Sequence, residues 1–285
     1  MSRLMTQPQI IHTISELRRR VASWRNGGAR IGMVPTMGAL HAGHLSLVEQ
    51  VAAQADKVVI SIFVNPTQFA PHEDFDSYPR TLEEDRAKLT TGKADLIFAP
   101  SVSEMYPNGH ATTLTVGGPS EGLETDFRPH FFGGVATVVA KLLIAAMPDI
   151  AIFGEKDYQQ LLVIRRMAQD LALPTEIAGA AIVREPDGLA LSSRNAYLST
   201  NERRVAGQLN VVLKDVIARL HGGMDISEAK ITGKNALLNA GFDSVDYVAI
   251  RNAENLKPLG TLTGAARILA AAKIGKTRLI DNMPV

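Results

Sequence analysis

Four short stretches, residues 31–34, 58–64, 96–99 and 150–153, are apolar almost without interruption and rich in β-branched side chains. A strand with one wet face alternates apolar and polar residues; a strand covered on both faces has no reason to. Each run is followed by a loop and, at some distance, by apolar residues at helical spacing. Such strands alternating with helices predict an α/β domain of the doubly wound, Rossmann-like kind, a parallel sheet with helices on both faces. Ligands of that architecture sit beyond the carboxyl ends of the strands. The least ordinary residue choices of this chain fall there, in "PTMGALHAGH", "NPTQF" and "GEKDYQQ".

After about residue 184 the texture changes. "REPDGLALSSRNAYLSTNERR" is polar and turn-rich, and helical patterns follow over roughly 200–221 and 225–240. The tail offers three short strands, "SVDYVAIR", "ARILAAAKIG" and "TRLIDN". These predict a second, smaller α+β domain with an antiparallel sheet, so residues 1–184 and 185–285 are expected to form two domains, the second a lid over the site. Near the start, Ile11, Ile14, Leu17, Val21 and Trp24 recur at helical spacing and predict an amphipathic helix, with no apolar block of a secretory signal before it. The longest apolar stretch, residues 135–147, is broken by Lys141 and is too short to span a bilayer. A cytoplasmic protein without a membrane partner is expected. Thirty basic and 29 acidic side chains leave a net charge of +1, which argues against nucleic acid as a partner. The absence of cysteine excludes disulfides, thiolate nucleophiles and cysteine-based zinc sites.

In "HAGH", His41 and His44 stand three residues apart, which at a helix start puts both on one face. A helix N-terminus presents unpaired N–H groups and a partial positive charge, so two imidazoles there suit a phosphate. Gly38 and Gly43 would let a nucleotide approach the backbone, while Pro35 is expected to end the strand. The plain alternative is a pair of capping and packing residues. A zinc site is another, but helical zinc motifs space their histidines by four with a glutamate between, and that glutamate is missing.

In "GEKDYQQ", Lys156 supplies a mobile charge for phosphate, and Asp157 is placed to cap the next helix or reach a ribose or metal; the segment reads equally as a solvated turn. In "LSSRN", Ser192, Ser193 and Arg194 are donors suited to a displaced pyrophosphate, or simply a helix-entry loop. Asn65 and Gln68 are amides in an apolar stretch and suit the hydroxyl and carboxyl groups of a small acid, although Asn65 before Pro66 also reads as a turn. "EDFDSYPRTLEEDRAKL" reads as an acidic loop entering a helix, from which Asp85 is a candidate to approach magnesium.

Taken together and in this order, "VPTMGALHAGH", "FVNPTQF", "YPRTLEED", "FAPSVSEMYP", "PDIAIFGEKDYQQL", "GLALSSRN" and "TRLIDN" resemble the pantothenate synthetase family, within the HIGH-motif nucleotidylyltransferase superfamily. The resemblance implies ATP-dependent condensation of pantoate with β-alanine through pantoyl adenylate, with release of pyrophosphate and AMP. It implies a homodimer, with Mg2+ accompanying the ATP. By position, Pro35, Thr36, Met37, Gly38, Ala39, Leu40, His41, Ala42, Gly43 and His44 are expected to bind ATP. Gly154, Glu155, Lys156, Asp157, Val183, Leu191, Ser192, Ser193 and Arg194 complete the nucleotide site. The catalytic group is expected to be His44 with His41, Lys156, Ser192, Ser193 and Arg194. Gln68, Gln160, Asn65 and Arg128 are assigned to substrate. Where many relatives read Arg-Pro-x-His-Phe-x-Gly-Val, this chain has "RPHFFGGV", with the histidine at His130 and Phe131 in its usual place. Two rival readings remain: a superfamily member acting on a phosphorylated acceptor, which would need a second anion site, and a nucleotide sensor without catalysis.

Overall fold

The computed structural model describes residues 7–70, 75–90 and 93–285; residues 1–6, and Glu73 and Asp74 of the acidic segment, lie outside the described residues. Strands β1 (Gln9–Ile11), β2 (Ile31–Thr36), β3 (Lys57–Ile62), β4 (Leu96–Phe98), β5 (Ile150–Gly154) and β6 (Glu176–Ala180) form one parallel sheet in the order β1-β4-β3-β2-β5-β6. Both faces are covered. Ile31, Met33, Val59, Phe98, Ala151 and Phe153 pack on one side with the helices Ile14–Asn26, Phe131–Ala146 and Tyr158–Asp170. Val34, Val58, Ile60, Ile97, Ile150 and Ile152 pack on the other with the helix Ala42–Ala52. Successive side chains of each strand therefore enter different cores, which is why the runs lack alternation. Each fully buried Val, Ile or Leu contributes roughly 1.5–3 kcal/mol.

Two strands fall outside the four apolar runs. β1 and β6 are the sheet edges, paired on one side only and partly exposed, so they need no continuous apolar sequence. Ile11 accordingly belongs to β1 and not to the first helix, which begins at Ile14 behind a capping box of Thr13 and Glu16. β2 also runs through Pro35 to Thr36 instead of ending at the proline. The apolar stretch around Lys141 is the buried helix Phe131–Ala146, and among the described residues no helix is long and apolar enough to cross a membrane.

The three tail strands form an antiparallel sheet of β7 (Ser244–Asn252), β8 (Ala266–Ile274) and β9 (Thr277–Pro284) in that order, over a core shared with the helices Gln208–His221 and Ile226–Asn239. The pattern over 200–221 is two helices, Thr200–Ala206 and Gln208–His221, meeting at Gly207. Gly207 keeps helical dihedrals, and a Cβ there would come within 2.6 Å of the Asp187 carboxylate. A small apolar cluster of Leu123, Tyr158, Leu162, Ala249, Leu256 and Leu269 joins this sheet to the helix that follows β5.

Candidate active site

From β2 the chain builds outward to β3 and β4 on one side, and to β5 and β6 on the other. The loops leaving β2 and β5 therefore diverge and open a crevice at the carboxyl ends. A cavity of about 1340 Å³ lies there, walled by the loops after β2, β3 and β5, by residues 181–195, and by β9. That exceeds the range of a site for one drug-sized ligand and leaves room for a nucleotide beside a small acid.

The loop after β2 explains the glycine between two histidines. His41 is the N-cap of the helix Ala42–Ala52, and its Nδ1 accepts from the Gly43 N–H at 3.2 Å, while His44 Nδ1 accepts from the His41 N–H at 3.4 Å. The pair is a capping box made of imidazoles, with ring centroids 4.1 Å apart. A Cβ at Gly43 would stand 2.9 Å from His41 Cε1, so only glycine lets the ring fold over the helix end. Each Nδ1 accepts from the backbone, which assigns the proton to Nε2 in both rings. Burial is the main force lowering their pKa values: His41 to about 4, with Lys156 and Lys88 adding to the effect, and His44 to about 3, with His41, Lys156 and Lys88 adding. At neutral pH both are uncharged donors, not cations.

Pro35, Thr36, Met37, His41, Gly43 and His44 line the cavity, but Gly38, Ala39, Leu40 and Ala42 do not. The chain reverses at Gly38 (φ +85°) and Ala39 (φ +49°), and Asp85 holds the reversal from behind. Its carboxylate is 0% exposed and accepts from the Ala39 N–H at 2.9 Å, the Leu40 N–H at 2.7 Å and the Thr81 hydroxyl at 3.3 Å. Asp85 is thus a clamp on the histidine loop, and the magnesium role expected of it gives way to that one. Among the described residues no group of three or more histidines and acids is placed to hold a metal.

Gly154, Lys156 and Asp157 line the cavity from the loop after β5, with Lys156 near both histidines. Glu155 does not; its carboxylate pairs with Arg267 at 3.0 Å. Asp157 stands at the N-cap of the helix Tyr158–Asp170 but makes no side-chain cap bond there, contrary to the expected capping role, and lies 3.9 Å from the Lys156 ammonium. Val183, Leu191, Ser192, Ser193 and Arg194 line a third side. The Leu191 N–H bonds the Val183 carbonyl at 3.0 Å, and Ser192 caps the short helix Ser193–Tyr197 by accepting from the Arg194 N–H at 3.3 Å.

Gln68 and Gln160 line the remaining side. Asn65 also borders the cavity, but its amide, 1% exposed, is used within the protein: Oδ1 accepts from the Thr67 N–H and hydroxyl and from the Tyr106 hydroxyl, and Nδ2 donates to the Gly134 carbonyl and to Gln68 Oε1, each at 3.2 Å. It positions Gln68 instead of facing a substrate. A Cβ at Gly134 would run into the Thr67 carbonyl, so the helix Phe131–Ala146 presses directly on this loop. Arg128 donates to the Gln68 carbonyl at 3.3 Å, stacks 3.9 Å over the Phe131 ring and lies 3.8 Å from Glu124. Phe131 thus supports Arg128, while His130 is exposed at the head of the helix without a capping bond.

Sequence reasoning passed over Glu124, Arg278 and Tyr247, which meet at the cavity edge with Arg278 bidentate on the buried Glu124 carboxylate at 2.7 and 2.9 Å. It also gave no role to Asp281 and Asn282, which entered only within "TRLIDN", as part of a strand and of the family resemblance. Two adjacent polar residues inside an apolar strand were the available signal.

The family model described as pantoate-beta-alanine ligase matches residues 9–284. The chain is 54% identical to the pantothenate synthetase of Mesorhizobium japonicum over 99% of each chain, and 54% identical to that of Caulobacter vibrioides over 99% of this chain and 100% of the relative. The crystal structure of pantothenate synthetase from Thermus thermophilus superposes with a TM-score of 0.91 at 47% identity, covering 96% of this chain and 98% of that one. The pantoate-beta-alanine ligase of Francisella tularensis, solved in complex with beta-gamma ATP and beta-alanine, gives 0.81 at 34% identity, with 97% of each chain covered.

Proposed function

Because the chain belongs to the pantoate-beta-alanine ligase family, we propose that its cleft carries out that reaction with the residues brought together around β2 and β5. The protein is an ATP-dependent ligase that condenses pantoate with β-alanine. In the family's two steps, a pantoate carboxylate oxygen attacks the α-phosphorus of ATP and expels pyrophosphate. The amine of β-alanine then attacks the acyl carbon of pantoyl adenylate and expels AMP.

His44 and His41, as neutral donors at a helix N-terminus, hydrogen-bond phosphate oxygens without adding charge. Lys156 and Arg194, from separate walls, neutralise the charge that moves onto the leaving pyrophosphate, with Ser192 and Ser193 donating beside them. Gln68 and Gln160 hold pantoate. Mg2+ accompanying the ATP would supply neutralisation of phosphate charge, for which few protein ligands are needed. Residues 185–285 act as the lid over residues 1–184. The family resemblance supports a cytoplasmic homodimer.

The observation that carries this reading is the pairing, in one cleft, of a phosphate-directed wall at the His41–His44 cap and Lys156 with uncharged amides at Gln68 and Gln160. The test is AMP release. Steady turnover to AMP is expected only when pantoate and β-alanine are both present, and pantoate alone should give no more than a single equivalent of pyrophosphate. AMP-free transfer to a phosphorylated acceptor, or ATP binding without turnover, would overturn it.

Replacing Gln68 with alanine removes an amide that can donate to a carboxylate while accepting from a hydroxyl. The pantoate KM should rise roughly 5- to 150-fold, the equivalent of about 1–3 kcal/mol, with ATP affinity unchanged in calorimetry. Lost ATP affinity with intact pantoate affinity would place Gln68 in the other half of the cleft.

A further inference from the structure

Asn282, on β9, is 2% exposed and has every polar group of its amide engaged. Nδ2 donates to the Glu155 carbonyl and to the Lys156 carbonyl, both at 2.9 Å, and Oδ1 accepts from Arg267 Nε at 2.6 Å. Arg267, on β8, is itself buried: it stacks 3.7 Å over the Tyr158 ring and donates through Nη2 to the Glu155 carboxylate at 3.0 Å. The turn Glu155–Asp157 is thus gripped by the second sheet. No side-chain cap bond holds its start, where Gly154 is the N-cap, and none is made by Asp157 where the next helix begins.

We propose that Asn282 is a positioning residue for adenylation: its amide fixes the main chain at Glu155 and Lys156 so that the Lys156 ammonium is held at the phosphates of ATP. The proposal rests on the reading of Lys156 as a phosphate-binding group. A lysine stem has four rotatable carbons, so the ammonium is located only as well as the backbone it springs from. Two consecutive carbonyls accepting from one amide nitrogen fix that backbone. Arg267 selects the amide orientation, since only with Oδ1 toward its Nε–H can both Nδ2 hydrogens reach the turn. With its donors and acceptor consumed, Asn282 acts on the nucleotide through Lys156 and not by touching it.

The informative variant is Asn282→Asp, which keeps the shape and the Arg267 partner but replaces the donor by an oxygen facing two carbonyls. Single-turnover formation of pantoyl adenylate should fall about 10- to 100-fold, the loss expected when a charge-stabilising group is misplaced by about 1 Å, and the KM for ATP should rise. Reaction of preformed pantoyl adenylate with β-alanine, which no longer involves the triphosphate, should stay near the parent rate. The double variant with Lys156→Ala should be no slower than Lys156→Ala alone, because both changes remove one interaction. Arg267→Lys, which cannot hold Oδ1 and the Glu155 carboxylate together, should show the same split, and it serves as the test if Asn282→Asp does not fold. Unimpaired adenylation in a folded variant, equal losses in both half-reactions, additive losses in the double variant, or failure of both variants to fold would overturn the proposal. An impaired Lys156→Ala with an unimpaired Asn282→Asp would reject the role of Asn282 alone. An unimpaired Lys156→Ala would reject the reading of Lys156 beneath it.

Discussion

Replacing His44 with alanine is expected to slow single-turnover formation of pantoyl adenylate by roughly 100-fold or more, the usual cost of losing a donor aimed at developing charge. The expectation rests on the division of labour within the ring. Nδ1 is taken by the His41 N–H, so Nε2 carries the proton, and the ring belongs to a residue that lines the cleft. His44→Gln, which can still donate, should recover part of the loss. The pKa of about 3 for His44 adds a second readout. A histidine whose folded pKa lies below its unfolded value near 6.5 binds fewer protons folded than unfolded between those two values. Its neutral burial is therefore without penalty above about pH 6.5 and costs stability progressively as pH falls toward 3. The parent should lose stability on acidification through that window, and His44→Ala should lose less of it, although removal of the cap lowers its stability at pH 7 by roughly 0.5–2 kcal/mol. Near-normal adenylation by a folded alanine variant would leave His44 only the capping role.

The second large effect is expected at Lys156. Lys156→Ala should slow adenylation roughly 100- to 1000-fold and raise the KM for ATP, while Arg194→Lys, which keeps the charge but loses the planar fork, should also be impaired. The lysine lies close enough to both histidines to help hold them neutral, so its removal should move their titrations upward in NMR. Burial still dominates, so they should remain uncharged at pH 7. An Arg194→Lys enzyme indistinguishable from the parent beside an inactive Lys156→Ala would reduce residues 191–195 to a linker.

Both predictions start from motifs that were legible in the chain, and the reasons are physical. β2, β3, β4 and β5 announce themselves because each is buried on two faces, and the two histidines stand out because they follow such a strand and open a helix. β1 and β6 do not, since an edge strand has a looser requirement for apolar residues. The role of Asp85 was hidden for a different reason. Its partners are main-chain N–H groups at Ala39 and Leu40, and a backbone donor leaves no mark on residue type. The same holds for Asn282, whose ligands are two carbonyls more than a hundred positions earlier. Asn65 was recognised as unusual but turned the wrong way, because an amide suited to a substrate is equally suited to Thr67, Gly134 and Tyr106.

The imidazole cap has an evolutionary consequence. Most catalytic groups are liabilities to the fold, so selection for activity and selection for persistence oppose one another at those positions. In His41 and His44, on the function proposed above, the two demands fall on opposite nitrogens of the same rings: Nδ1 closes the helix end, which leaves Nε2 for the ligand. A drift to serine or aspartate at position 41 would still satisfy the helix and would forfeit the donor. A drift to alanine at position 44 would forfeit both. Gly43 is tied to the pair by the ring folded over it. A change at any one of the three positions therefore disturbs the other two, so on the function proposed above a loss of stability and a loss of chemistry would come together.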